Sequence, residues 1–308
     1  MIAIPESFAR ITTGREGEPG ERWLARLPGI ADGLLERWGC VPDGEVMHGG
    51  IGVIVPVRRR GGQTAVLKVS FPHPGNIHEP DAFTAWAGRG AVRLYERDDQ
   101  QFAMLLERAQ ACTLAAVEDG DEAAAIAGRI CRRLAIPAPP LLRRLSSQAS
   151  RWERQLVADA AELAPGLPGH AVDAAVATVR DLGYAQPDLM VHGDLHAANI
   201  LRADREPWLV VDPKGYAGDP GYDAAMVIKS HPLLDLAADD LRTALHHRLA
   251  IFAGAAELDR ERARRWAQFH AVRSAFWGRR HGFRLARGGS HLDELTEFAD
   301  RVAELLAS

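Results

Sequence analysis

The chain has 308 residues, 47% hydrophobic and 25% charged, with a formal net charge of −4. That is enough apolar material for one or two globular domains, and the mild acidity argues against a general nucleic-acid binder. No apolar run approaches the roughly 18 residues of a membrane span, and the three cysteines, Cys40, Cys112 and Cys131, have no CxxC spacing. The first residues lack a basic segment followed by an apolar one, so no signal peptide is expected. A cytoplasmic protein with reduced thiols is the reading.

Residues 1–20 are polar, with Gly and Pro, and read as an arm or loop. From Glu21 to Trp38 the apolar residues Trp23, Leu24, Leu27, Ile30, Leu34 and Leu35 fall near i, i+3, i+4 spacing. This predicts one or two helices, with Pro28-Gly29 as the point of a break. Residues 45–57 predict strand, glycine turn and strand around Gly49-Gly50-x-Gly52. Gly61-Gly62 predicts a hairpin turn into the strand Gln63 to Ser70. That strand carries Lys68 inside an apolar run, a costly place for a charge without an anionic partner. Asn76 to Ala87 predicts a helix with Glu79 in its first turn. Ala91 to Glu96 and Gln101 to Leu106 predict a hairpin turning at Asp98-Asp99.

From about residue 110 the periodicity is helical. Predicted helices run from Asp121 to Ala135, from Ser147 to Leu163 with Asp159 and Glu162 on the surface, and from His170 to Leu182. Three more close the chain: Leu236 to Phe252, Glu257 to Gly282 and His291 to Leu306. The arginines between 260 and 280 predict a solvated face with Glu257, Asp259 and Glu261 as neighbours, not a nucleic-acid site.

Between these helices lies residues 189–223, LMVHGDLHAANILRADREPWLVVDPKGYAGDPGYD. Short apolar pieces bounded by Asp, Gly and Pro predict a small β-ribbon: Leu189 to Val191, Ile200-Leu201 and Trp208 to Val211. Its loops deliver Asp194, Asn199 and Asp212, at spacings of 5 (199 − 194) and 13 (212 − 199). A lone Asp or Asn here would be turn chemistry. The order and spacing instead match the kinase loop H-R-D-x-x-x-x-N with a later Asp. Phosphoryl transfer needs a carboxylate to orient the attacking hydroxyl, for which Asp194 is placed. It also needs oxygen ligands for magnesium, for which Asn199 and Asp212 are placed.

In that setting Lys68 fits the V-A-I-K lysine that holds the α- and β-phosphates of ATP. Glu79, 11 residues on (79 − 68), is the candidate to position it. Gly50 and Gly52 offer a nucleotide flap, although G-x-G-x-x-G-x-V is met only in part. Lys214 either offsets charge on the transferring phosphate or points to solvent. Asp219 and Asp223 either attract a cationic substrate or hold the loop. Asp235, Asp239 and Asp240 either line an acceptor pocket or charge a helix N-terminus. A different reading takes His192-x-Asp194-x-His196 as the metal site of a hydrolase.

HGDLHAANIL followed by VVDPKGYAGDPGYD resembles the aminoglycoside phosphotransferase family of small-molecule kinases. DPK in place of DFG resembles its streptomycin 6-kinase and hydroxyurea phosphotransferase branch, and the resemblance covers roughly residues 45–285. It implies an α+β, bilobal protein-kinase-like fold, with a small β-rich N-lobe (1–108) and a larger, mainly helical C-lobe (109–308). It also implies ATP and Mg2+ between the lobes, with backbone groups at Glu107 and Ala109 contacting adenine. The expected reaction moves the γ-phosphate to a hydroxyl of a small molecule, first of all a cationic aminoglycoside such as streptomycin, inactivating an antibiotic. No nucleic-acid or membrane partner is expected. The alternatives are a kinase of another metabolite or sugar, and a non-catalytic nucleotide-binding protein of the same fold.

Overall fold

The computed structural model describes residues 2–163, 166–230, 241–281 and 292–307. Strand alternation organises its N-terminal half. Six antiparallel strands form one sheet: β1 (Cys40–Pro42), β2 (Met47–His48), β3 (Gly52–Arg59), β4 (Thr64–Ser70), β5 (Leu94–Asp98) and β6 (Ala103–Glu107). Their order is β1-β3-β4-β6-β5, with β2 on β3. Val53, Val55, Val57, Ala65, Leu67, Val69, Ala103 and Leu105 share one buried cluster. The two-residue period sends Ile54, Val66, Lys68, Met104 and Leu106 to the opposite face. The register sets Lys68 between Ile54 and Met104. Gly61 and Gly62 make the β3–β4 turn at φ 101° and 89°, where a side chain would be strained.

Two N-terminal helices cover the first face and depart from the sequence reading. Helix α1 (Glu6–Glu16) occupies the stretch expected to be loop, and α2 (Glu18–Arg37) runs through Pro28 unbroken. Phe8 is fully buried, edge-on to Trp23 at 6.0 Å. On α2, Trp23, Leu27, Ala31, Leu34 and Leu35 are buried on both sides of the proline. An interior proline costs about 3 kcal/mol, whereas each buried leucine-sized side chain contributes about 1.5–3 kcal/mol, so the apolar stripe wins.

Helix α3 (Glu79–Trp86) packs Ala82, Phe83 and Trp86 into a second, larger cluster, and Trp86 Nε1 donates to the Leu134 carbonyl at 2.9 Å. That cluster continues through α4 (Gly120–Leu134), α5 (Ala149–Glu162), α6 (Gly169–Thr178), α7 (Ala225–Lys229), α8 (Leu241–Ala256), α9 (Arg260–His281) and α10 (Leu292–Leu305). The beginnings expected at Leu236 and His291 and the end expected at Gly282 lie outside the described residues. Trp152, Tyr222, Trp266 and Phe269 form an aromatic centre, with paired ring centroids 5.2–6.1 Å apart.

Asp159, expected on the surface, is buried and accepts from Gln155 and Arg280. Arg262, Arg265 and Arg279 pair with Asp219, Asp181 and Asp300, while Arg264 pairs with the expected neighbour Glu261. The basic stretch is therefore mostly stitched into other parts of the helical region.

The apolar pieces of 189–223 make two ribbons, not one. Strand β9 (Ile200–Arg202) pairs with β10 (Trp208–Val210). Strand β8 (Leu189–Val191) pairs with β11 (Tyr216–Gly218), which also takes β7 (Arg143–Arg144) in parallel. Between β10 and β11, Asp212 and Gly215 adopt φ of 57° and 62°.

Helices α4 and α8 approach closely at Gly128, where a Cβ would lie 2.4 Å from the Phe252 carbonyl oxygen and 2.8 Å from Ala255 Cβ. Gly128→Ala is expected to lower stability by about 1–3 kcal/mol, the usual cost of overpacking. Thermal unfolding checks this, and an unchanged midpoint would show that the two helices can part freely.

Candidate active site

Lys68 leaves the sheet on the face opposite α1 and α2. Its Nζ lies 2.5 Å from Glu79 Oε1 and 2.8 Å from Asp212 Oδ1. The lysine that the sequence set in an apolar strand thus has two carboxylate partners. Burial works against its charge, but Asp212 and Glu79 outweigh it and hold the ammonium above its ordinary pKa. Burial raises Glu79, against the pull of Lys68. Burial also opposes the charge of Asp212, yet Lys68 and Lys214 keep this carboxyl below its ordinary value. Lys214 points into the site, 3.1 Å from Asp212 Oδ2 and 4.0 Å from Asp194 Oδ2.

The loop that carries Asp194 is held by buried groups. Asp223 accepts the backbone N–H of His192 at 2.8 Å and of Gly193 at 2.9 Å. Burial pushes Asp223 up to about 7, against these two bonds, which favour the carboxylate. At Gly193 φ is 81°, and a Cβ would sit 2.5 Å from the Tyr216 ring, so glycine is required. Asp219 is also consumed internally, by the Gly221 N–H at 2.9 Å, the Trp266 indole at 2.6 Å and Arg262 at 2.5 Å. Neither acid is available to attract a cation. Asp235, Asp239 and Asp240 lie outside the described residues.

His192 is fully buried and stacked with Trp86 at 6.3 Å. Its Nε2 lies 3.0 Å from the Val211 carbonyl and its Nδ1 3.3 Å from the Asp194 N–H. The carbonyl needs a donor and the amide an acceptor, which selects the neutral Nε2–H tautomer. Burial lowers this imidazole to about 4. With both ring nitrogens engaged, His192 cannot serve the metallohydrolase reading. Among the described residues no group of three or more His, Cys, Asp or Glu side chains is disposed to hold a metal.

Asp194 Oδ1 lies 2.8 Å from Lys229 Nζ, at the end of α7. Burial favours the protonated acid, but Lys229 and then Lys214 outweigh it and hold Asp194 well below the usual carboxylate range. Lys229 was not singled out from sequence, because a lysine ending the apolar run AMVIK carries no motif. Asn199 donates its Nδ2 to the Asp194 carbonyl at 3.0 Å, which leaves its amide oxygen as an acceptor. The Asn199 amide oxygen and the Asp212 carboxylate are hard donors of the kind magnesium prefers, so the residue chemistry fits that ion.

Lys68, Glu79, Asp194, Asn199, Asp212, Lys214 and Lys229 line one cleft of about 1970 Å³, together with Gly50, Gly52, Glu107 and Ala109. Two of those four have roles the sequence did not show. Gly52 is required by the sheet, since a Cβ would lie 2.8 Å from both the Val69 carbonyl and Ser70 Oγ. The Glu107 carboxylate is taken by Arg205, at 2.8 and 2.9 Å, and by the Arg93 N–H at 3.0 Å. Arg205 also donates to the Gly88 and Ala91 carbonyls, so it pins the strand end to the segment before β5. The Gly50 carbonyl accepts from Arg15 at 2.6 Å, which ties the glycine turn to α1.

Residues 37–282 match the family model described as aminoglycoside/hydroxyurea antibiotic resistance kinase. The chain belongs to this family. The chain is 35% identical over 279 residues to a streptomycin 6-kinase of Streptomyces glaucescens, covering 90% of this chain and 91% of the relative. It is 33% identical over 282 residues to a hydroxyurea phosphotransferase of Kitasatospora aureofaciens, covering 90% and 80%. A solved spectinomycin phosphotransferase, in complex with ADP and spectinomycin, shares the fold at a TM-score of 0.53 and 11% identity, covering 90% of this chain and 97% of that one. The kinase has the protein-kinase-like fold, with a β-sheet N-terminal region and a helical C-terminal region, and it is a phosphotransferase acting on a hydroxyl group. Among the described residues no helix is long and apolar enough to cross a membrane.

The Lys229 contact sets a pH test. A carboxyl with a depressed folded pKa contributes stability above its unfolded value, near 3.9, and loses it as pH falls through the folded value. Asp194 is accordingly expected to stay ionised well into acid. Lys229→Met removes the largest lowering charge and leaves burial unopposed by it. The acid limb of kcat/KM should move up into or above the ordinary carboxylate range of about 4. An acid limb that stays in place shows that Lys229 does not set this ionisation.

Proposed function

We propose that this kinase transfers the γ-phosphate of ATP to a hydroxyl of a small molecule bound in the cleft, with the lobes meeting at Glu107–Ala109. One observation carries the reading: Asp194, Asn199, Asp212 and the Lys68–Glu79 pair, drawn from residues 68 to 212, converge on a single cleft. That the solved spectinomycin phosphotransferase holds ADP supports a nucleotide here.

In this mechanism Lys68, fixed by Glu79, holds the α- and β-phosphates. Asp194 accepts a hydrogen bond from the acceptor hydroxyl and orients its oxygen toward the phosphorus. Lys214, beside both Asp194 and Asp212, offsets charge on the transferring group. Asn199 and Asp212 would hold magnesium, which when bound neutralises phosphate charge. Gly50 and Gly52 cover the phosphates, and backbone groups at Glu107 and Ala109 meet adenine. The acceptors named for the relatives, streptomycin and hydroxyurea, are the first to assay, and antibiotic inactivation is the corresponding role. A non-catalytic nucleotide-binding role is disfavoured by the complete Asp194, Asn199 and Asp212 set.

Asp194→Ala is expected to keep nucleotide affinity and lose about 10²–10⁴ in turnover, the usual contribution of a positioned acid–base group. Wild-type-like ADP release in this variant would sink the assignment. Asp212→Ala should lose the magnesium-dependent part of ATP affinity. Calorimetry with and without Mg2+ measures it, and equal Mg-ATP affinity in variant and wild type counts against a metal role.

A further inference from the structure

The glycine turn between β2 and β3 is gripped from outside the cleft by α1. Gly49, Gly50 and Ile51 make this turn, and all three line the cleft. The fold itself does not require the two glycines. Neither has a positive φ, and a Cβ on either would meet nothing within 4 Å. A bare backbone beside open space lets a ligand come close.

Helix α1 reaches the turn at two points. Ser7 Oγ lies 2.9 Å from His48 Nε2, and the Phe8 ring lies 5.5 Å from the His48 ring. His48 Nδ1 lies 3.1 Å from the Gly49 carbonyl oxygen. Two helical turns along, Arg15 Nη1 donates to the Gly50 carbonyl at 2.6 Å, while Glu16 holds Arg15 Nε. In a planar trans peptide the C=O and the following N–H point opposite ways. With the Gly50 carbonyl turned out to Arg15, the Ile51 N–H is turned away from α1, to the cleft side of the sheet. That N–H has no acceptor among the described residues, whereas the Ile51 carbonyl accepts from the Phe71 N–H at 2.7 Å. A fixed and unused backbone donor at a cleft suits an anion.

Resting on the nucleotide reading of the cleft, we propose that Arg15 is a positioning residue for ATP. By holding the Gly50 carbonyl outward, it presents the Ile51 amide to a phosphate oxygen without touching the nucleotide itself. Among the described residues nothing else holds that carbonyl. Without Arg15, rotation of this peptide costs little, because glycine is open to both signs of φ. Helix α1 lies before residues 37–282, the part matched by the family model, so the device is an addition to the matched region. The competing role for Arg15 is stability of α1, whose last turn favours a cation.

The test compares the full chain with Arg15→Met, Arg15→Lys and Arg22→Met. Arg22, on α2, pairs with Glu18 instead, so its loss makes the same change in charge. Amide NMR titrations with ATP, ADP and adenosine give affinities and follow the Ile51 N–H. Arg15→Met should weaken ATP and ADP about three- to tenfold, the scale of one hydrogen bond, with adenosine affinity and thermal midpoint unchanged. ATP should move the Ile51 signal in wild type and less so in R15M. Arg15→Lys should recover part of both effects, and R22M should behave as wild type. Equal ATP affinity in wild type and R15M overturns the proposal. So does an R15M variant with a lowered midpoint that weakens adenosine and ATP alike, the mark of support for α1 alone. ADP release is read separately. ATP binding that depends on Arg15, with no turnover of streptomycin or hydroxyurea or any other alcohol, leaves the positioning role standing and removes the kinase reading. Turnover by wild type with an unchanged KM for ATP in R15M keeps the kinase reading and removes the positioning role. No binding of ATP by wild type overturns both.

Discussion

The ammonium of Lys68 lies 2.5 Å from Glu79 and 2.8 Å from Asp212, and these two contacts join parts of the chain far apart in sequence. One comes from the central strand of the sheet, one from the first turn of α3, and one from the turn after β10. Removing one partner of a buried ion pair typically costs 3–5 kcal/mol, because the other charge is left without compensation. The geometry around the site follows from keeping that cluster satisfied. Strand alternation must send residue 68 to the cleft face. Helix α3 must dock by Phe83 and Trp86 so that Glu79 is buried. Asp212 must accept a left-handed backbone, φ 57°, a conformation that an ordinary residue enters only when its surroundings over-determine it.

A second layer of buried polar groups supports that cluster. Asp223 caps two backbone amides of the Asp194 loop, and the same loop's His192 reaches the Val211 carbonyl next to Asp212. Asp194 and Asp212 are therefore linked through one neutral imidazole packed on Trp86. Trp86 in turn belongs to α3, the helix that carries Glu79. Positioning of Lys68, Asp194 and Asp212 is in this way a property of one connected network, whose members are dear to lose because each lost bond strands a buried polar atom.

How much of this was legible in the sequence depended on whether the signal was local. The spacing from Asp194 to Asn199 to Asp212 and the lysine in its apolar strand are local patterns, and the structure brings these residues together in one cleft. The helices of the C-terminal half were readable because their apolar period repeats over ten or more residues. Helix α1 was missed because Gly14, Gly17 and Pro19 resemble loop chemistry, and what makes it a helix is burial of Phe8 against Trp23, a tertiary effect. Pro28 was misread for the same reason. Arg205, Arg15 and Lys229 were invisible because each acts across a long sequence gap: 98 residues to Glu107, 35 to Gly50 and 35 to Asp194. Asp219 and Asp223 show the converse. Their identity was plain, but only coordinates distinguish an acid that attracts a ligand from one that caps a loop.

The charges around Asp194 also bear on what kind of chemistry it does. A carboxylate held far below its ordinary pKa by Lys229 and Lys214 is a weak base. It is poorly suited to pulling a proton fully from an alcohol in the ground state. A loose phosphoryl-transfer transition state asks for little such help, since bond formation to the nucleophile lags behind departure of the leaving group. What it asks for is a nucleophile fixed in line and stabilisation of charge on the moving group. In the proposed transfer Asp194, locked by Lys229, would meet the first requirement, because a rigid ionised acceptor orients a hydroxyl better than a mobile one. Lys214, 3.1 Å from Asp212 and 4.0 Å from Asp194, is placed for the second. Under the proposed mechanism the lysines would trade basicity at Asp194 for position and field, an exchange that suits a transfer governed by geometry and charge more than by proton removal.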